Sequence, residues 1–390
     1  MAIDFPNSPT NGQIYTSGDK SWIWDGTVWK AYGASLSPTV LKVDSTNTRV
    51  GINNQSPAYT LDVNGTVEAT QFIQGTDYLT PYTGFRNAII NGDFRINQRA
   101  WSSSTATASY GFDRFSQINS GGTVTMSSQS FTVGSPAATG YEATNFCRMV
   151  TASQSGTGHF AILRQHIEDV RTLANSTITV SFWAKASSGT PKVAVEVVQS
   201  FGSGGSPSAD VNTYIAQVTL STSWARYSVT GTVPNINGKT IGTTANTSAL
   251  VAHLWVSAGS DFNSRTGSMG IQNNTFDFWG VQVERGSVAT PFEQRPIGAE
   301  LALCQRYYFR EADHAIPMWT DQNGTGSQSR YCNIQFPVRM RTNTYTASAT
   351  TGGGAATIYY KAVTGFSMSK TTGATTLGAD VWSWTIDAEF

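Results

Sequence analysis

The first residues of the chain alternate apolar and polar positions in the manner of a β-hairpin. In the run SWIWDGTVWKAY, Trp22 and Trp24 are two residues apart, which is the side-chain period of a strand. Asp25-Gly26 is a frequent tight-turn pair, so the run predicts one hairpin within residues 1–34. An isolated hairpin is marginal in water, so this one either caps the chain's own structure or docks on another protein. The candidate docking residues are Tyr15, Trp22, Trp24 and Trp29.

Residues 35–80 contain only short alternating runs, separated by turn pairs such as Asn64-Gly65. The predicted strands are Val40–Val43, Arg49–Ile52, Tyr59–Val63 and Val67–Ala69. So few apolar residues cannot form a self-contained core. We therefore expect the segment to be stable only when it stacks against copies of itself, which indicates an oligomer with a shared axis.

Residues 81–295 form the longest segment, in which strand-like runs recur between Ser- and Gly-rich turns. A repeat of roughly 10–20 residues is typical of a β-sandwich or jelly roll. The predicted strands are Asn87–Ile90, Phe112–Gln117, Thr123–Ser127, Cys147–Ala152, Phe160–Gln165, Thr177–Ala186, Lys192–Gln199, Ile215–Leu220, Ala225–Val233, Leu250–Val256 and Phe276–Glu284.

Residues 296–390 begin with a helix signal and then return to strands. Pro296 precedes IGAELALCQRYYFRE, in which Leu301, Cys304 and Tyr308 give a partial helical face. Strands are predicted at Ser329–Phe336, Thr342–Ala349, Ala356–Ala362, Phe366–Lys370 and Val381–Phe390. The predicted fold is all-β: a short hairpin module (1–34), a thin shaft or collar (35–80), a central jelly-roll sandwich (81–295) and a small distal β domain with one short helix (296–390).

Composition agrees with an all-β fold and narrows the function. The 390 residues carry 25 basic and 25 acidic side chains, so the formal net charge is zero and gives no long-range attraction for nucleic acid. No apolar run approaches the roughly 18 residues of a membrane span, and the start MAIDFPNSPT lacks the features of a signal peptide. Three scattered cysteines suit neither a disulfide framework nor a metal site, so we expect no metal and no cofactor.

The sequence contains no recognisable catalytic motif. Glycan cleavage needs two carboxylates at a defined separation, whereas acidic residues are sparse, and Asp113 lies on a different predicted strand from Asp277 and Glu284. We therefore expect a protein that is not an enzyme. A glycan depolymerase, with carboxylates brought together from separate strands or subunits, remains an alternative.

Non-catalytic sugar binding uses flat aromatic faces together with amide and guanidinium donors, and the chain is rich in both. Trp382 and Trp384 share one face of a predicted strand, where they either contact a glycan or form the core of the small distal domain. Trp319 lies in a long polar loop, and Trp101 lies in a loop-like stretch. The glycan-binding candidates are Trp101, Trp319, Arg330, Tyr331, Trp382 and Trp384.

Several stretches, in order, resemble phage tail-fibre sequence. RVGINNQSPAYTLDVNGTVEAT is similar to a shaft or collar motif. NAIINGDFRINQR, YGFDRF, LRQHIEDV, ITVSFWAKASS, STSWARYSVTGTVP and FDFWGVQVERGSVATPFEQRP together resemble a carbohydrate-binding-module-like jelly roll of fibres from phages that infect cyanobacteria. ELALCQRYYFR, FPVRMR and DAEF resemble the segment that closes many such fibres. The chain departs from the family at Arg95, where an acidic residue is frequent, so a calcium site near Asp93 is not expected.

This resemblance implies a receptor-binding fibre of a virion, made in the host cytoplasm and assembled as a homotrimer. Its implied partners are the phage tail, baseplate or an adaptor at the N-terminal module, and host surface polysaccharide at the distal end; it implies neither nucleic-acid binding nor membrane insertion. A head, neck or capsid-decoration fibre with a structural role is the first alternative to a tail fibre.

Overall fold

The computed structural model describes residues 4–18, 20–32, 41–65, 73–74, 77–78, 85–138, 140–318, 328–351, 354–372 and 378–390. The chain forms two compact units, Met1–Pro81 and Tyr82–Phe390. No helix in the described ranges has the length and apolar character needed to cross a bilayer.

The first unit is built from short strands. They are β1 (Ile14–Ser17), β2 (Lys20–Trp24), β3 (Trp29–Tyr32), β4 (Leu41–Asp44), β5 (Arg49–Ile52), β6 (Leu61–Val63), β7 (Ile73–Gln74) and β8 (Asp77–Tyr78). β1, β2 and β3 form one antiparallel sheet, β4, β5 and β6 form another, and β7 pairs with β8.

The predicted N-terminal hairpin is confirmed and gains a third strand. Trp24 lies opposite Trp29 across β2 and β3, and β1 pairs along the other edge of β2. The Asp25 carboxylate accepts the backbone N–H groups of Thr27 and Val28, each at 2.9 Å. These bonds satisfy turn donors that would otherwise need water, which fixes the connection between β2 and β3.

The sheet of β4, β5 and β6 has one apolar face, which we call the collar face. β4 and β5 are antiparallel and β6 adds in parallel, so that the side chains fall into two cross-strand rows. The collar face consists of Leu41, Val43, Val50, Ile52, Leu61 and Val63. Val43 is 62% exposed and Leu61 is 58% exposed, so this face has no cover within the described part of one chain.

The second unit contains the remaining described elements. The strands are β9 (Ser103–Ser104), β10 (Phe115–Ser120), β11 (Thr123–Ser130), β12 (Asn145–Ala152), β13 (Phe160–Glu168), β14 (Ser176–Ala186), β15 (Lys192–Ser200), β16 (Val211–Thr219), β17 (Ala225–Val233), β18 (Ala249–Ala258), β19 (Thr275–Arg285), β20 (Tyr308–Met318), β21 (Gln328–Gln335), β22 (Thr346–Thr351), β23 (Gly354–Ala355), β24 (Thr357–Ala362), β25 (Gly365–Thr372) and β26 (Gly378–Asp387). The helices are a 3₁₀ turn (Ser260–Phe262), α1 (Asn263–Thr266) and α2 (Ile297–Gln305).

The central part is a β-sandwich, as predicted. One sheet has the strand order β10-β13-β18-β15-β16, and the other has the order β17-β14-β19-β12-β11-β9. The core between them is aliphatic and aromatic, with Phe182, Phe276, Phe278 and Trp279 among its fully buried side chains. The stretch Asn87–Ile90 is not a strand; it runs extended beside β19, where the Ala88 N–H donates to the Val283 carbonyl at 2.8 Å.

The distal part consists of two further sheets around a second core. Their strand orders are β20-β26-β22-β23 and β21-β25-β24. The predicted helix ends earlier than the sequence pattern suggests, because α2 stops at Gln305 and Tyr308 begins β20. Tyr308 and Phe309 favour a strand, and β20 gains a full antiparallel partner in β26, which outweighs the helical spacing.

The sandwich and the distal sheets are held together by the segment Asp387–Phe390, which we call the anchor segment. The fully buried Arg114 at the start of β10 forms an ion pair with Glu389 and donates to the His166 carbonyl. Its guanidinium also lies 3.3 Å from the centre of the Tyr307 ring. Burial raises the pKa of Glu389, opposed by the attraction of Arg114 and Arg99.

Arg341, in the loop before β22, fixes the backbone of the same segment. Its guanidinium donates to the carbonyls of Ala388 at 2.7 Å and Glu389 at 2.8 Å. The Asn246 amide of the sandwich donates to the Arg341 carbonyl at 2.8 Å. Hydrogen bonds from Arg341 and Asn246 therefore add to the Arg114–Glu389 ion pair in connecting the two parts.

We expect Arg114→Met to lower the free energy of unfolding by about 3–5 kcal/mol, because Glu389 would stay buried with only the more distant Arg99, at 3.5 Å, as a cationic partner. The double variant Arg114→Met/Glu389→Leu should recover most of this loss, since it removes both charges. Urea unfolding followed by tryptophan fluorescence measures both. Arg171→Met, which breaks the exposed pair with Asp169, is the control and should cost less than about 1 kcal/mol. Equal losses in the single and double variants would show that the ion pair does not hold the anchor segment.

Candidate functional site

Three exposed tyrosines lie on the outer face of the sheet formed by β21, β25 and β24. Tyr331 is 70% exposed, Tyr359 is 50% exposed and Tyr360 is 78% exposed. The Tyr331 and Tyr359 rings are 5.7 Å apart between centroids. A register shift between Ile358 and Tyr360 interrupts the strict alternation of β24, so two successive tyrosines are both exposed there.

Polar side chains adjoin these rings. Asn333 follows Tyr331 by two residues and is exposed on the same strand face. Its amide oxygen accepts a hydrogen bond from the Ser367 hydroxyl at 2.7 Å. We call Tyr331, Tyr359, Tyr360, Asn333 and Ser367 the tyrosine platform. It offers aromatic faces beside amide and hydroxyl groups, the combination that binds the apolar and polar sides of a sugar ring.

The two distal tryptophans do not belong to this surface. Trp382 is 1% exposed and Trp384 is 4% exposed, so the prediction that they contact a glycan is wrong and the alternative, a core role, holds. They do share one strand face, as predicted, but that face points inward. Phe366 and Met368 from β25 pack in the same core, so the two sheets bury each other's apolar sides.

The other residues predicted to bind glycan lie elsewhere in the structure. Trp101 is half-buried and packs edge-on against Phe112, with ring centroids 5.6 Å apart, so it extends the sandwich core and is not an open binding face. Trp319 lies outside the described residues. Arg330 lies on β21 next to Tyr331, and its side chain lies outside the described part.

The four aromatic residues predicted for attachment converge on one face of the N-terminal sheet. Tyr15 lies opposite Trp22, and Trp24 lies opposite Trp29. Phe5 covers them: its ring stacks on Trp29 at 5.2 Å and meets Trp22 edge-on at 5.3 Å. Sequence reasoning missed Phe5 because it precedes the strands, and its ring contacts with Tyr15, Trp22 and Trp29 show that it completes the cluster.

The outer face of the five-stranded sandwich sheet is covered by the chain itself. β18 is buried along its whole length. Leu250, Ala252, Leu254 and Val256 face the core, and the alternate residues face outward, where other parts of the chain cover them. At one end Trp255 packs with Met269 and Phe262 from the segment around α1. At the other end Ala249 and Val251 pack against Phe390.

A buried carboxylate ties α1 to this face. Glu196 accepts hydrogen bonds from Trp255 at 3.0 Å and from both Arg265 nitrogens at 2.7 and 2.8 Å, and it also bonds His253 at 2.9 Å. Burial alone would raise the pKa of Glu196, but these donors outweigh it and lower the pKa. Burial also lowers the pKa of His253, against the opposing effect of its hydrogen bond to Glu196. With its oxygens occupied and no exposure, Glu196 is placed for structure and not for acid–base chemistry.

Asp93 is paired with the arginine that marks the chain's departure from the family pattern. Its carboxylate lies 2.9 Å from Arg95 Nε, so the positive charge beside it comes from the protein. Burial raises the pKa of Asp93 to about 6, against the opposing attraction of Arg95. Among the residues that the structure describes, no group of three or more His, Cys, Asp or Glu side chains is arranged to hold a metal ion.

No family model matches the sequence, and no curated protein matches it. Solved structures that resemble the chain include the CBM22-2 xylan-binding domain of Paenibacillus barcinonensis Xyn10C, with 16% identity over 44% of this chain and 92% of that one, at a TM-score of 0.27. A family 11 carbohydrate-binding module from Clostridium thermocellum has 10% identity over 49% and 99%, at 0.29. A putative sugar-binding protein from Bacteroides thetaiotaomicron has 13% identity over 51% and 100%, at 0.31. Similarity at these TM-scores does not establish what this chain binds.

We expect Asp93→Asn to change the pH dependence of stability. The folded-state pKa of about 6 is above the unfolded value of 3.8, so the stabilising contribution of the protonated carboxyl is complete below about pH 3.8 and is lost as the pH rises through 6. The advantage of Asn over Asp should therefore grow by about 2 kcal/mol between about pH 4 and pH 7. Urea midpoints across this range measure it, with the exposed Asp169→Asn as control. A pH-independent difference would contradict the assignment.

Proposed function

We propose that the protein is a non-catalytic tail fibre of a phage virion that recognises host-surface glycans through the tyrosine platform. The platform carries the proposal: Tyr331 and Tyr359 expose adjacent rings, and Asn333 and Ser367 supply amide and hydroxyl groups beside them. Clustered exposed aromatic rings mark interaction surfaces more often than single exposed rings do.

The carboxylates described above support binding without cleavage. Glu196 and Glu389 are buried and engaged by arginine side chains, and Asp93 is paired with Arg95. None of the three lies on the tyrosine platform. A sugar held there meets aromatic, amide and hydroxyl groups, which bind it but do not activate water or a leaving group.

A homotrimer is proposed from the collar face. Six apolar side chains cover one side of the sheet of β4, β5 and β6, and no second layer of the described residues buries them. Copies of the same segment around a common axis would bury these side chains against one another. The same assembly presents three tyrosine platforms at once.

The N-terminal aromatic cluster is proposed as the part that attaches to a tail, baseplate or adaptor protein. Trp22, Trp24 and Trp29 are only half-buried by one another and by Phe5, so apolar ring surface remains for a partner. Tryptophan and tyrosine are enriched among the residues that dominate binding energy at protein interfaces.

We expect Tyr331→Ala/Tyr359→Ala to weaken binding to a host-polysaccharide array by about tenfold or more for each monovalent site, because the stacking faces are lost. Both residues are exposed, so the free energy of unfolding should change little. Virion adsorption should fall further than single-site affinity, because several sites act together.

Tyr59→Ala is the matched control for the platform variant, since Tyr59 is an exposed tyrosine far from it in sequence. It should leave array binding unchanged. Wild-type binding by the double platform variant would refute the platform, whereas equal loss in both variants would indicate an effect of assembly.

We expect the full chain to have a molar mass of about 126 kDa by light scattering, three times its 41.9 kDa. Leu61→Asp should shift the mass toward that of a monomer, because a charge would face the buried side of the collar. Thr60→Asp adds the same charge at the neighbouring exposed position and should leave the trimer intact. A monomeric or dimeric wild-type protein would refute the shared axis.

A further inference from the structure

A polar groove of about 340 Å³ lies on the outer face of the sheet β20-β26-β22. Its size is within the range of small-ligand sites, about 300–1,000 Å³. The sheet is the one opposite the tyrosine platform across the distal core, and Phe309, Ala349, Trp384 and Ile386 point into that core. The groove is therefore separate from the platform.

Hydroxyl groups line the groove in cross-strand rows. Thr385 of β26 lies between Arg310 of β20 and Ser348 of β22, and Ser383 lies opposite Thr350. The Ser348 and Thr385 hydroxyl oxygens are 2.5 Å apart. A hydroxyl can both donate and accept hydrogen bonds, so rows of hydroxyls suit a ligand that itself carries hydroxyls on successive carbons.

Two arginines line one end of the groove. The Arg99 guanidinium lies 3.8 Å from the Tyr308 ring centre and 3.3 Å from an Asp387 carboxylate oxygen, which fixes its plane. Arg310 is exposed, and one of its nitrogens donates to the Arg99 carbonyl at 3.3 Å. Arg310 also lines the groove.

The charges of the lining cancel. Arg99 is neutralised by Asp387, and Arg310 is offset by Glu311, which also lines the groove. A phosphate or a uronic acid would need surplus positive charge, which this lining does not have. Tyr308 and Trp384 are buried, so an extended aromatic ligand has no open ring to stack on.

We propose that the groove is a second glycan subsite, which binds a neutral mono- or disaccharide unit through hydrogen bonds. The inference rests on the proposed function of the distal part as a glycan-binding module, and it adds a site of different chemistry. The platform contacts the faces of a sugar ring, whereas the groove forms hydrogen bonds with the hydroxyl groups of the sugar.

The test titrates the full-length protein with maltose, cellobiose, lactose and α-1,6-mannobiose as neutral probes, and with digalacturonate as an acidic probe, by calorimetry. At least one neutral disaccharide should bind with a Kd on the order of 1 mM. Arg310→Ala should weaken it at least tenfold, because hydrogen bonds to a charged group are lost. Thr350→Trp should abolish binding by filling the groove.

Thr346→Ala is the matched control, because Thr346 is an exposed threonine on the same strand that does not line the groove. It should bind the disaccharide as the wild type does. Circular dichroism and molar mass confirm that each variant folds and assembles. The platform variant Tyr331→Ala/Tyr359→Ala should also retain disaccharide binding at the groove.

The outcomes separate the two sites. The groove inference is overturned if no neutral disaccharide binds up to about 20 mM, if digalacturonate alone binds, or if Arg310→Ala and Thr350→Trp both bind as the wild type does. If only the platform variant loses the disaccharide, the groove fails and the platform stands. If the groove variants alone lose it and the platform variant still binds the polysaccharide array, the groove stands and the proposed platform fails.

Discussion

The buried guanidinium of Arg114 is the constraint on which the arrangement of the second unit depends. A fully buried cation is tolerated only when a carboxylate and further acceptors surround it, and here Glu389 supplies the carboxylate. Glu389 is two residues beyond β26, so the pair fixes where β26 ends. Since β26 is the central partner of β20 and β22, the ion pair positions a whole distal sheet against the sandwich.

The anchor segment also determines which surfaces are free. Phe390 lies between His166, whose ring stacks on it at 4.9 Å, and Arg341, 4.0 Å from its ring centre. It thereby covers one end of the five-stranded sheet, while α1 and the Glu196 network cover the other end. A sheet face filled from both ends by its own chain has little open surface, whereas the outer face of the sheet β21-β25-β24 exposes three tyrosines.

Sequence alone predicted the elements whose pattern is local. The Trp22 to Trp29 hairpin has a turn pair and a strand period, and both act between neighbours in the sequence. The sequence also indicates that Tyr331 faces outward, because Cys332, Ile334 and Phe336 occupy the alternate positions of the strand and face the core. Local spacing placed Trp382 and Trp384 on one face but could not say whether that face points inward, since the covering residues come from β25.

Features that depend on long-range pairing were not predicted. The first residues of β20 continue the helical spacing of α2. Their strand partner β26 lies about seventy residues later, so local spacing cannot show that they form a strand. Arg114 and Glu389 are 275 residues apart, and no spacing rule links them. The groove combines Arg99 of a sandwich loop with Arg310 of β20 and with hydroxyls of β22 and β26, so it exists only after both parts have docked.

Rigid docking has a consequence for weak glycan binding. A shallow site with hydroxyl and aromatic contacts binds a single sugar weakly, because each hydrogen bond replaces one made with water. Several sites on one particle add avidity only if their geometry permits simultaneous contact. Relative movement between the sites lowers the effective concentration. The Arg114–Glu389 ion pair and the hydrogen bonds of Arg341 restrict such movement within the second unit. The ion pair of Arg114 with Glu389 and the hydrogen bonds of Arg341 dock the sandwich on the distal sheets, and this docking places Arg99 beside the hydroxyls of the proposed groove.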